Sequence, residues 1–169
     1  MDSSLVGLNY NSQINILNRI QTMTQFIAHR GNLNGAEPSF ENRIEYLLHA
    51  YDVCGAVEVD IQTHNGQLYF GHDDPQQPVS LELIMQDNWF CHAKDLESLS
   101  KLLELGAHTF WHQQDTVTIT SRGYIWCYPH IHHPDLERSV WTDFDDEFVT
   151  VDSINQITAY ALCGDRMPT

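Results

Sequence analysis

Three segments in the first half of the chain decide how this sequence is interpreted: FIAHRG at residues 26–31, GAVEVDIQ at residues 55–62 and GQLYFGHDD at residues 66–74. Each contains a short apolar run typical of a buried β-strand, bounded by glycine. In the second segment Glu58 and Asp60 alternate with apolar residues, which places both carboxylates on one face of the strand. The pattern predicts three consecutive strands with charged side chains at or near their ends.

Histidine and arginine side chains complete this set. His29 and Arg30 directly follow the first apolar run, and His72 follows the third. Two imidazoles can transfer protons, a guanidinium binds oxyanions, and paired carboxylates hold a divalent cation. If the three strand ends meet in one hollow, the combination suits metal-assisted cleavage of a phosphate ester.

The order of these motifs resembles that of the glycerophosphodiester phosphodiesterase family. The resemblance is carried by the HRG turn at residues 29–31, the PSFEN segment at residues 38–42, the Glu58-x-Asp60 pair and the His72-Asp73 pair. It implies that His29 and His72 act as general acid and base and that Arg30 binds phosphate. It also implies that Glu58 and Asp60 hold a divalent cation, Mg²⁺ or Ca²⁺.

Beyond residue 85 the comparison with the family rests mainly on WFCHAK, residues 89–94. Lys94 stands at the position of a phosphate-binding lysine of the family, and His92 stands where the family has a third metal-binding glutamate. Imidazole is a softer ligand than carboxylate and favours zinc or a transition metal over Mg²⁺ or Ca²⁺. The resemblance therefore implies a divalent cation held by Glu58, Asp60 and His92, whose identity the sequence leaves open.

Two more residues are candidates for contact with the substrate. Asn42, in the PSFEN segment, lies near the predicted start of a helix, where it would bind the substrate or support the site. Trp126 lies in a predicted strand and would form a wall of the pocket, although core packing explains a tryptophan equally well. A tract at residues 130–133, His-Ile-His-His, lacks the spacing of a zinc site and is interpreted as a polar loop.

Each candidate residue also has an interpretation in which it has a structural role and no part in catalysis or binding. Glu58 and Asp60 would then line a solvated strand face, although two adjacent carboxylates among apolar residues are costly without a cation. The remaining candidates would be purely structural: a core histidine at His29 or His92, a turn-stabilising histidine at His72, an ion pair between Arg30 and Asp60, and an ordinary surface lysine at Lys94.

The length of the chain limits its architecture. With 169 residues we expect one domain, spanning residues 1–169. A complete (β/α)8 barrel usually takes about 250 residues. The family that the motifs resemble has this barrel fold, so the resemblance implies an α/β fold, a TIM-barrel-like (β/α) barrel, which the length requires to be shortened or incomplete. Apolar residues at helical spacing predict an N-terminal helix over residues 12–24.

The remaining sequence divides into further helices and strands. One helix is predicted over residues 40–51, with Ser39 as its N-cap and Gly55 as its end. Others are predicted over residues 81–87 and over residues 96–105, the latter ending at Gly106. Asn65-Gly66 predicts a tight turn between the second and third strands. Further strands are predicted at residues 89–93, 108–112, 116–120, 123–128, 148–151 and 159–163.

The amino-acid composition limits the classes of binding partner that we expect for this protein. The formal net charge is −15, from 23 acidic and 8 basic residues. Binding to nucleic acids or anionic membranes needs clustered lysine and arginine, so we expect neither nucleic-acid binding nor stable membrane association. The expected partner is a small phosphodiester substrate. The four cysteines form no C-x-x-C pair and no leader pattern is recognisable, which favours a cytoplasmic location.

Together these observations predict a metal-dependent phosphoric diester hydrolase that acts on a glycerophosphodiester or a similar small phosphodiester. A related lyase, which stops at a cyclic phosphate, is one alternative. A pseudoenzyme that binds a phosphorylated metabolite without cleaving it is a second. The acidity alone would also suit a structural or assembly protein.

Overall fold

The computed structural model describes residues 24–129, 131, 136–148 and 150–169, which contain ten strands and four helices. The strands are β1 (Gln25–His29), β2 (Val57–His64), β3 (Gln67–Phe70), β4 (Gln77–Pro78), β5 (Trp89–Ala93), β6 (Thr109–Phe110), β7 (Val117–Ile119), β8 (Ile125–Cys127), β9 (Leu136–Asp143) and β10 (Ala159–Gly164). The helices are α1 (Ile44–Cys54), α2 (Leu81–Ile84), α3 (Leu96–Leu105) and α4 (Val151–Ile154). The helix predicted over residues 12–24 lies outside the described residues, apart from Thr24.

All ten strands belong to one mixed sheet. Seven of them are parallel neighbours in the order β6-β5-β2-β1-β10-β9-β8. β3 and β4 extend antiparallel from β2, and β7 pairs antiparallel with β8. Because parallel strands all end at the same edge of a sheet, residues at their C-terminal ends meet there, and this is where ligands commonly bind.

The prediction of a (β/α) barrel is wrong. The sheet forms a curled half-barrel, and among the described helices only α1 and α3, with 11 and 10 residues, exceed about one turn. The links from β2 to β3 and from β7 to β8 are short connections between antiparallel strands instead of helical crossovers. The sequence between residues 113 and 150 has no apolar stripe of helical length, and strands β7, β8 and β9 occupy it instead.

The core lies on both faces of the parallel strands. Val57 and Val59 of β2 belong to a buried cluster on the face that packs against α1 and α3. Glu58 points to the opposite face, because successive side chains of a strand alternate. A second buried cluster fills that face and includes Phe90, which lies two residues before His92. The polar residues near the strand ends therefore lie directly above apolar packing.

The predicted helix ends are confirmed where a glycine follows the helix. α3 has the predicted bounds and ends at Gly106, whose φ of 78° is left-handed. Asp95 caps its start by accepting a hydrogen bond from the backbone N–H of Ser98 at 2.7 Å. α1 ends at the predicted Gly55, with φ of 76°. The helix predicted over residues 81–87 is shorter than expected and ends at Ile84.

The start of α1 differs from the prediction for a local reason. Asn42 has a left-handed φ of 61°, which a right-handed helix cannot include. Residues 38–42 form turns that carry Glu41 and Asn42 to buried positions. The helix therefore begins at Ile44 with Arg43 as its N-cap, and Ser39 has no capping role.

Two strand predictions in the first half of the chain are confirmed. β5 has the predicted bounds, and β3 is antiparallel to β2 across the Asn65-Gly66 turn. The strand predicted over residues 148–151 is wrong, because Thr150 caps α4 by accepting a hydrogen bond from the backbone N–H of Ser153. β9 was not predicted, because its sequence, LERSVWTD, mixes charged and polar residues with few apolar ones.

A membrane-spanning helix needs about 20 mostly apolar residues. Within the part of the chain that the structure describes, no helix reaches that combination of length and apolarity.

Candidate active site

The register of three adjacent strands brings the predicted polar residues together. β1 pairs with β2 so that His29 lies beside Glu58, and β2 pairs with β5 so that Asp60 lies beside His92. Directly paired residues of neighbouring strands point to the same face of the sheet, as do residues i and i+2 of one strand. These four side chains therefore share one face.

The turn after β1 is fixed by contacts with β2 and α1. Arg30 and Gly31 have left-handed φ values of 53° and 90°. The backbone N–H of Arg30 donates to the backbone oxygen of Glu58 at 2.9 Å. A Cβ atom at Gly31 would lie 2.8 Å from Cδ1 of Tyr46, so this position needs glycine for both conformation and space. The HRG sequence thus turns the chain sharply at the end of the strand that carries His29.

Glu58, Asp60 and His92 form a group that can hold a metal ion, and we call it the metal-ligand group. One ligand atom from each residue lies within 4.8 Å of the others. His92 Nδ1 is 3.2 Å from Asp60 Oδ1 and 3.6 Å from Glu58 Oε1. The His92 ring stacks against Phe110 and His112, with centroid distances of 4.7 Å to each. This packing holds the Nδ1 edge of the ring toward the carboxylates.

The carboxylate of Asp60 is fully buried, and its two oxygens have different surroundings. Oδ2 accepts a hydrogen bond from Asn42 Nδ2 at 3.1 Å and lies 2.8 Å from Arg30 Nε. Oδ1 lies 3.2 Å from His92 Nδ1 and 3.4 Å from Lys94 Nζ, but it accepts no well-aligned hydrogen bond from any described residue. A buried acceptor without a hydrogen bond is costly. A bound cation would satisfy it.

The neighbours of Asp60 and His92 shift the pKa values of both side chains. Burial by itself would raise the pKa of Asp60, but close contact with His92 and the charges of Arg30 and Lys94 hold that pKa far below its usual range. Burial of His92 opposes its charged form, whereas Asp60 and Glu58 outweigh burial and raise the pKa of the imidazole. The carboxylates thus attract positive charge to this point, either as a proton on His92 or as a metal ion.

Asn42 supports Asp60. Its side-chain oxygen accepts a hydrogen bond from the backbone N–H of Asp60 at 2.9 Å, and its Nδ2 donates to Asp60 Oδ2 at 3.1 Å. Both residues are buried. Asn42 was expected to contact the substrate or to support the site, and its amide contacts in the structure are to Asp60.

His29 is paired with Asp165, the residue that follows β10. Nδ1 of His29 donates to Asp165 Oδ1 at 2.7 Å, and Asn32 Nδ2 donates to the same oxygen at 2.8 Å. Burial opposes protonation of His29, but the hydrogen bond to Asp165 and the charge of Glu58 together raise its pKa. Nε2 lies 3.9 Å from Glu58 Oε2 and is directed to the site.

His72 reaches the same cavity from the turn after β3. The preceding Gly71 has a φ of 140°, and its N–H donates to the backbone oxygen of Asp60 at 3.0 Å. Nδ1 of His72 lies 2.8 Å from Asp73 Oδ1. The side chain of His72 is 37% exposed, so it borders both the cavity and solvent.

A cavity of about 190 Å³ lies over these residues. Its polar side is lined by His29, Arg30, Glu58, His72 and His92. Its other side is lined by His112, Trp126, Tyr128, Pro129, Thr142 and Phe144. The Phe144 ring packs on His29 at a centroid distance of 4.4 Å, and Trp126 stacks on Phe110 at 4.2 Å. The cavity thus combines charged groups with a largely aromatic wall.

Fixed charges around the cavity do not balance. Among the described residues of the ion-pair network around Asp60 and His29, four carboxylates, those of Glu41, Glu58, Asp60 and Asp165, lie near two permanent cations, Arg30 and Lys94. Protons on His29 and His92, or one divalent cation, would neutralise the two remaining negative charges. Two carboxylates, one of which has a buried oxygen without a hydrogen bond, and an imidazole form a donor set that fits such a cation.

The structure brings all nine sequence-predicted residues to one region. Six of them line the cavity: His29, Arg30, Glu58, His72, His92 and Trp126. The other three are joined through Asp60, which contacts both Asn42 and Lys94. The guanidinium of Arg30 is engaged by carboxylates, with Nη1 3.0 Å from Glu41 Oε2 in addition to its contact with Asp60.

Glu41 and Asp165 are charged residues of the site that were not predicted. Glu41 accepts hydrogen bonds from Arg30 and Asn32. The ring of His112 stacks on that of His92, and burial lowers the pKa of His112 to about 4. The available sequence signal for Asp165 was an acidic residue directly after an apolar strand.

No protein-family model matches this chain, and no curated protein or solved structure matches it either. The family resemblance therefore rests on the sequence motifs alone. The histidine-rich tract at residues 130–133 lies outside the described residues, apart from Ile131.

Proposed function

We propose that this protein is a metal-dependent phosphoric diester hydrolase that cleaves a small phosphodiester, such as a glycerophosphodiester, with His29 and His72 as proton carriers. The observation that carries the proposal is that both histidines border the same cavity as Glu58 and His92 of the metal-ligand group. Cleavage of a phosphodiester needs a proton acceptor for the nucleophile, a proton donor for the leaving alkoxide, and positive charge at the phosphoryl oxygens. This cavity offers groups for each task.

His29 is suited to be the proton donor. Although burial opposes its charge, Asp165 and Glu58 raise the pKa of His29, which favours the imidazolium near neutral pH. Because Nδ1–H is held by Asp165 at 2.7 Å, the proton available for transfer is the one on Nε2. Donation from Nε2 to the leaving oxygen returns His29 to its neutral form with the hydrogen bond to Asp165 intact.

His72 is suited to be the proton acceptor. Its position between cavity and solvent lets it meet an attacking water or a hydroxyl group of the substrate. With Nδ1–H donating to Asp73, Nε2 keeps its lone pair for the proton of the nucleophile. As the new P–O bond forms and the old one breaks, one proton passes to His72 and another passes from His29 to the departing alcohol. Attack by water yields a phosphomonoester, and attack by a substrate hydroxyl yields a cyclic phosphate.

Positive charge for the phosphate comes from several groups. A divalent cation held by Glu58, Asp60 and His92 would polarise the phosphoryl oxygens and neutralise charge on them. Arg30 and Lys94 keep Asp60 ionised, and they add local positive charge in a protein whose net charge is −15. With a divalent cation also bound, a small anion could enter against the unfavourable overall field.

Two diesters with different leaving groups test this assignment. An alkoxide must be protonated as it leaves, whereas p-nitrophenolate leaves without protonation. We expect His29→Ala to lower kcat for glycerophosphoethanolamine by about 10²- to 10⁴-fold and to have a much smaller effect on bis(p-nitrophenyl) phosphate. His72→Ala should lower kcat for both substrates by comparable factors.

The matched control is His49→Ala, which removes an exposed histidine of α1 and should leave both rates unchanged. Glu58→Gln should abolish the metal-dependent part of both rates. The proposal is overturned if wild-type protein cleaves neither diester with Mg²⁺, Ca²⁺, Mn²⁺ or Zn²⁺. Binding of the intact diester in that case would favour the non-catalytic alternative.

A further inference from the structure

Building on the proposed function, which requires a divalent cation without saying which, we infer that the metal-ligand group selects a first-row transition metal or Zn²⁺ over Mg²⁺ and Ca²⁺. The selecting ligand is Nδ1 of His92.

The donor set of the metal-ligand group differs from that of typical Mg²⁺ and Ca²⁺ sites. Mg²⁺ prefers six oxygen ligands in an octahedron, and Ca²⁺ takes six to eight oxygen ligands, several of them carboxylates. Here the group offers two carboxylates and one imidazole nitrogen. Nitrogen ligation favours Co²⁺ or Zn²⁺ relative to the two hard cations, with Mn²⁺ between them.

The imidazole cannot easily withdraw from a cation that binds between the carboxylates. Nδ1 lies 3.2 Å from Asp60 Oδ1 and 3.6 Å from Glu58 Oε1, so a cation that contacts both oxygens also meets this nitrogen. The ring is confined by Phe110 and His112, whose planes lie within 11° and 17° of its own. Its backbone is fixed by the parallel pairing of β5 with β2. Nδ1 of His92 is therefore held in position as a ligand atom of the site.

Other oxygen ligands near the cavity are already engaged. Glu41 accepts hydrogen bonds from Arg30 and Asn32, and Asp165 accepts them from His29 and Asn32. Neither belongs to the metal-ligand group found among the described residues. The third carboxylate that would suit Mg²⁺ or Ca²⁺ is therefore not supplied by these neighbours.

The negative charge of Asp60 is also partly neutralised by neighbouring cations. Arg30 Nε lies 2.8 Å from one of its oxygens, and Lys94 Nζ lies 3.4 Å from the other. Affinity for Ca²⁺ depends strongly on the number of charged ligands. Two neighbouring cations weaken that electrostatic attraction for any divalent ion, whereas bonding to a nitrogen donor persists for a transition metal.

Calorimetric titration with the chloride salts of Co²⁺, Mn²⁺, Mg²⁺ and Ca²⁺ at pH 8 tests the inference directly. For wild-type protein we expect the Kd for Co²⁺ to be at least about 100-fold lower than the Kd for Mg²⁺ or Ca²⁺. His92→Glu should reduce this preference at least tenfold. It should also change the visible absorption of bound Co²⁺, because an oxygen replaces a nitrogen in the coordination sphere.

Two further variants keep the result interpretable. Replacing His130, His132 and His133 together by glutamine removes the histidine-rich tract as a competing site, and the preference should persist in that protein. His92→Gln tests loss of the ligand without added charge and should weaken Co²⁺ binding more than Mg²⁺ binding. If a His92 variant fails to fold by circular dichroism, the order of Kd values in wild-type protein still decides the question.

Binding of Mg²⁺ or Ca²⁺ as tight as that of Co²⁺ and Mn²⁺ by wild-type protein would overturn the inference, as would an unchanged preference in folded His92→Glu. These outcomes differ from failure of the proposed function. Hydrolysis of a diester together with preferential Mg²⁺ binding removes only the metal selectivity. Selective Co²⁺ binding without hydrolysis of any diester removes only the catalytic role.

Discussion

His29 and Asp165 are joined by a hydrogen bond of 2.7 Å between Nδ1 and Oδ1, although 136 residues separate them along the chain. β1 and β10 are parallel neighbours in which Ala28 pairs with Gly164. The residues that follow the two pairing positions therefore meet at one edge of the sheet. Asp165 thereby fixes which ring nitrogen of His29 faces the site.

Asp165→Asn should lower the pKa of His29, because the imidazolium loses an anionic partner that raises that pKa. NMR titration of the His29 ring measures this directly. We also expect kcat for an alkyl phosphodiester to fall by about 10- to 100-fold, the usual cost of removing a partner that orients a functional group. Asp152→Asn, at an exposed carboxylate in α4, is the control. An unchanged titration of His29 in Asp165→Asn would contradict the positioning role.

Asn42→Ala should destabilise the protein by about 2–3 kcal/mol, because the buried N–H of Asp60 loses its acceptor and alanine is strained at a φ of 61°. Asn42→Gly separates the two effects, since glycine removes the strain but not the loss of the amide. Urea unfolding should therefore rank wild type above Asn42→Gly and Asn42→Gly above Asn42→Ala. Equal stability of wild type and Asn42→Gly would show that the amide contributes nothing.

Gly71→Ala should be severely destabilising. A Cβ at this position would overlap with the backbone oxygen of Asp74, and φ is 140°, a conformation that alanine rarely adopts. Gly66→Ala is a matched control in the neighbouring hairpin, with a φ of 76° and no atom within 4 Å of the new Cβ. We expect thermal unfolding to show a loss of about 1–2 kcal/mol for Gly66→Ala and a clearly larger loss for Gly71→Ala. Similar losses in both would mean that the turn before His72 relaxes freely.

Acid sensitivity should come in part from His108, which is buried, with Nε2 2.8 Å from Thr120 Oγ1. Burial, assisted by the charge of Arg122, lowers the pKa of His108 to about 4, whereas an unfolded histidine titrates near 6.5. Above pH 6.5 the side chain is neutral in both states. As the pH falls from 6.5 to about 4, the unfolded state binds the proton first and the free energy of unfolding decreases, by about 3 kcal/mol in total.

His108→Gln removes this titration while keeping a group that can bond to Thr120. Urea unfolding at pH 7.5 and pH 4.5 should show a smaller loss of stability for His108→Gln than for wild type. His49→Gln, at an exposed histidine, should behave like wild type. An equal loss in wild type and His108→Gln would assign the acid sensitivity to other groups.

Sequence patterns correctly predicted the elements whose bounds depend on residues within or next to the element itself. The leucines and the Asp95 and Gly106 ends of α3 are local features, and the helix has the predicted bounds. The residues of the candidate site were likewise found because they stand beside short apolar strands. The predicted start of α1 was wrong. Asn42 has a left-handed φ and contacts Asp60, which lies 18 residues further along the chain, and no local pattern indicated this contact.

The barrel prediction failed for a related reason. A family resemblance over the first three strands was extended to the whole chain, but residues 106–169 fold as strands with only the short helix α4 among their described residues. β9 contains few apolar residues, and it forms in a sheet where its neighbours β8 and β10 satisfy its backbone.

The positions of the polar residues near the ends of the first strands, and their alternation between the two faces of each strand, could be predicted from the amino-acid sequence, because alternation along a strand is a local property. The contacts that those residues make depend on how the strands are ordered and paired in the fold. Strand order and register bring Asp165 to His29, turn Asn42 toward Asp60 and set His92 beside both carboxylates. These pairings depend on hydrogen bonding and packing between segments far apart in the chain, which no local pattern encodes.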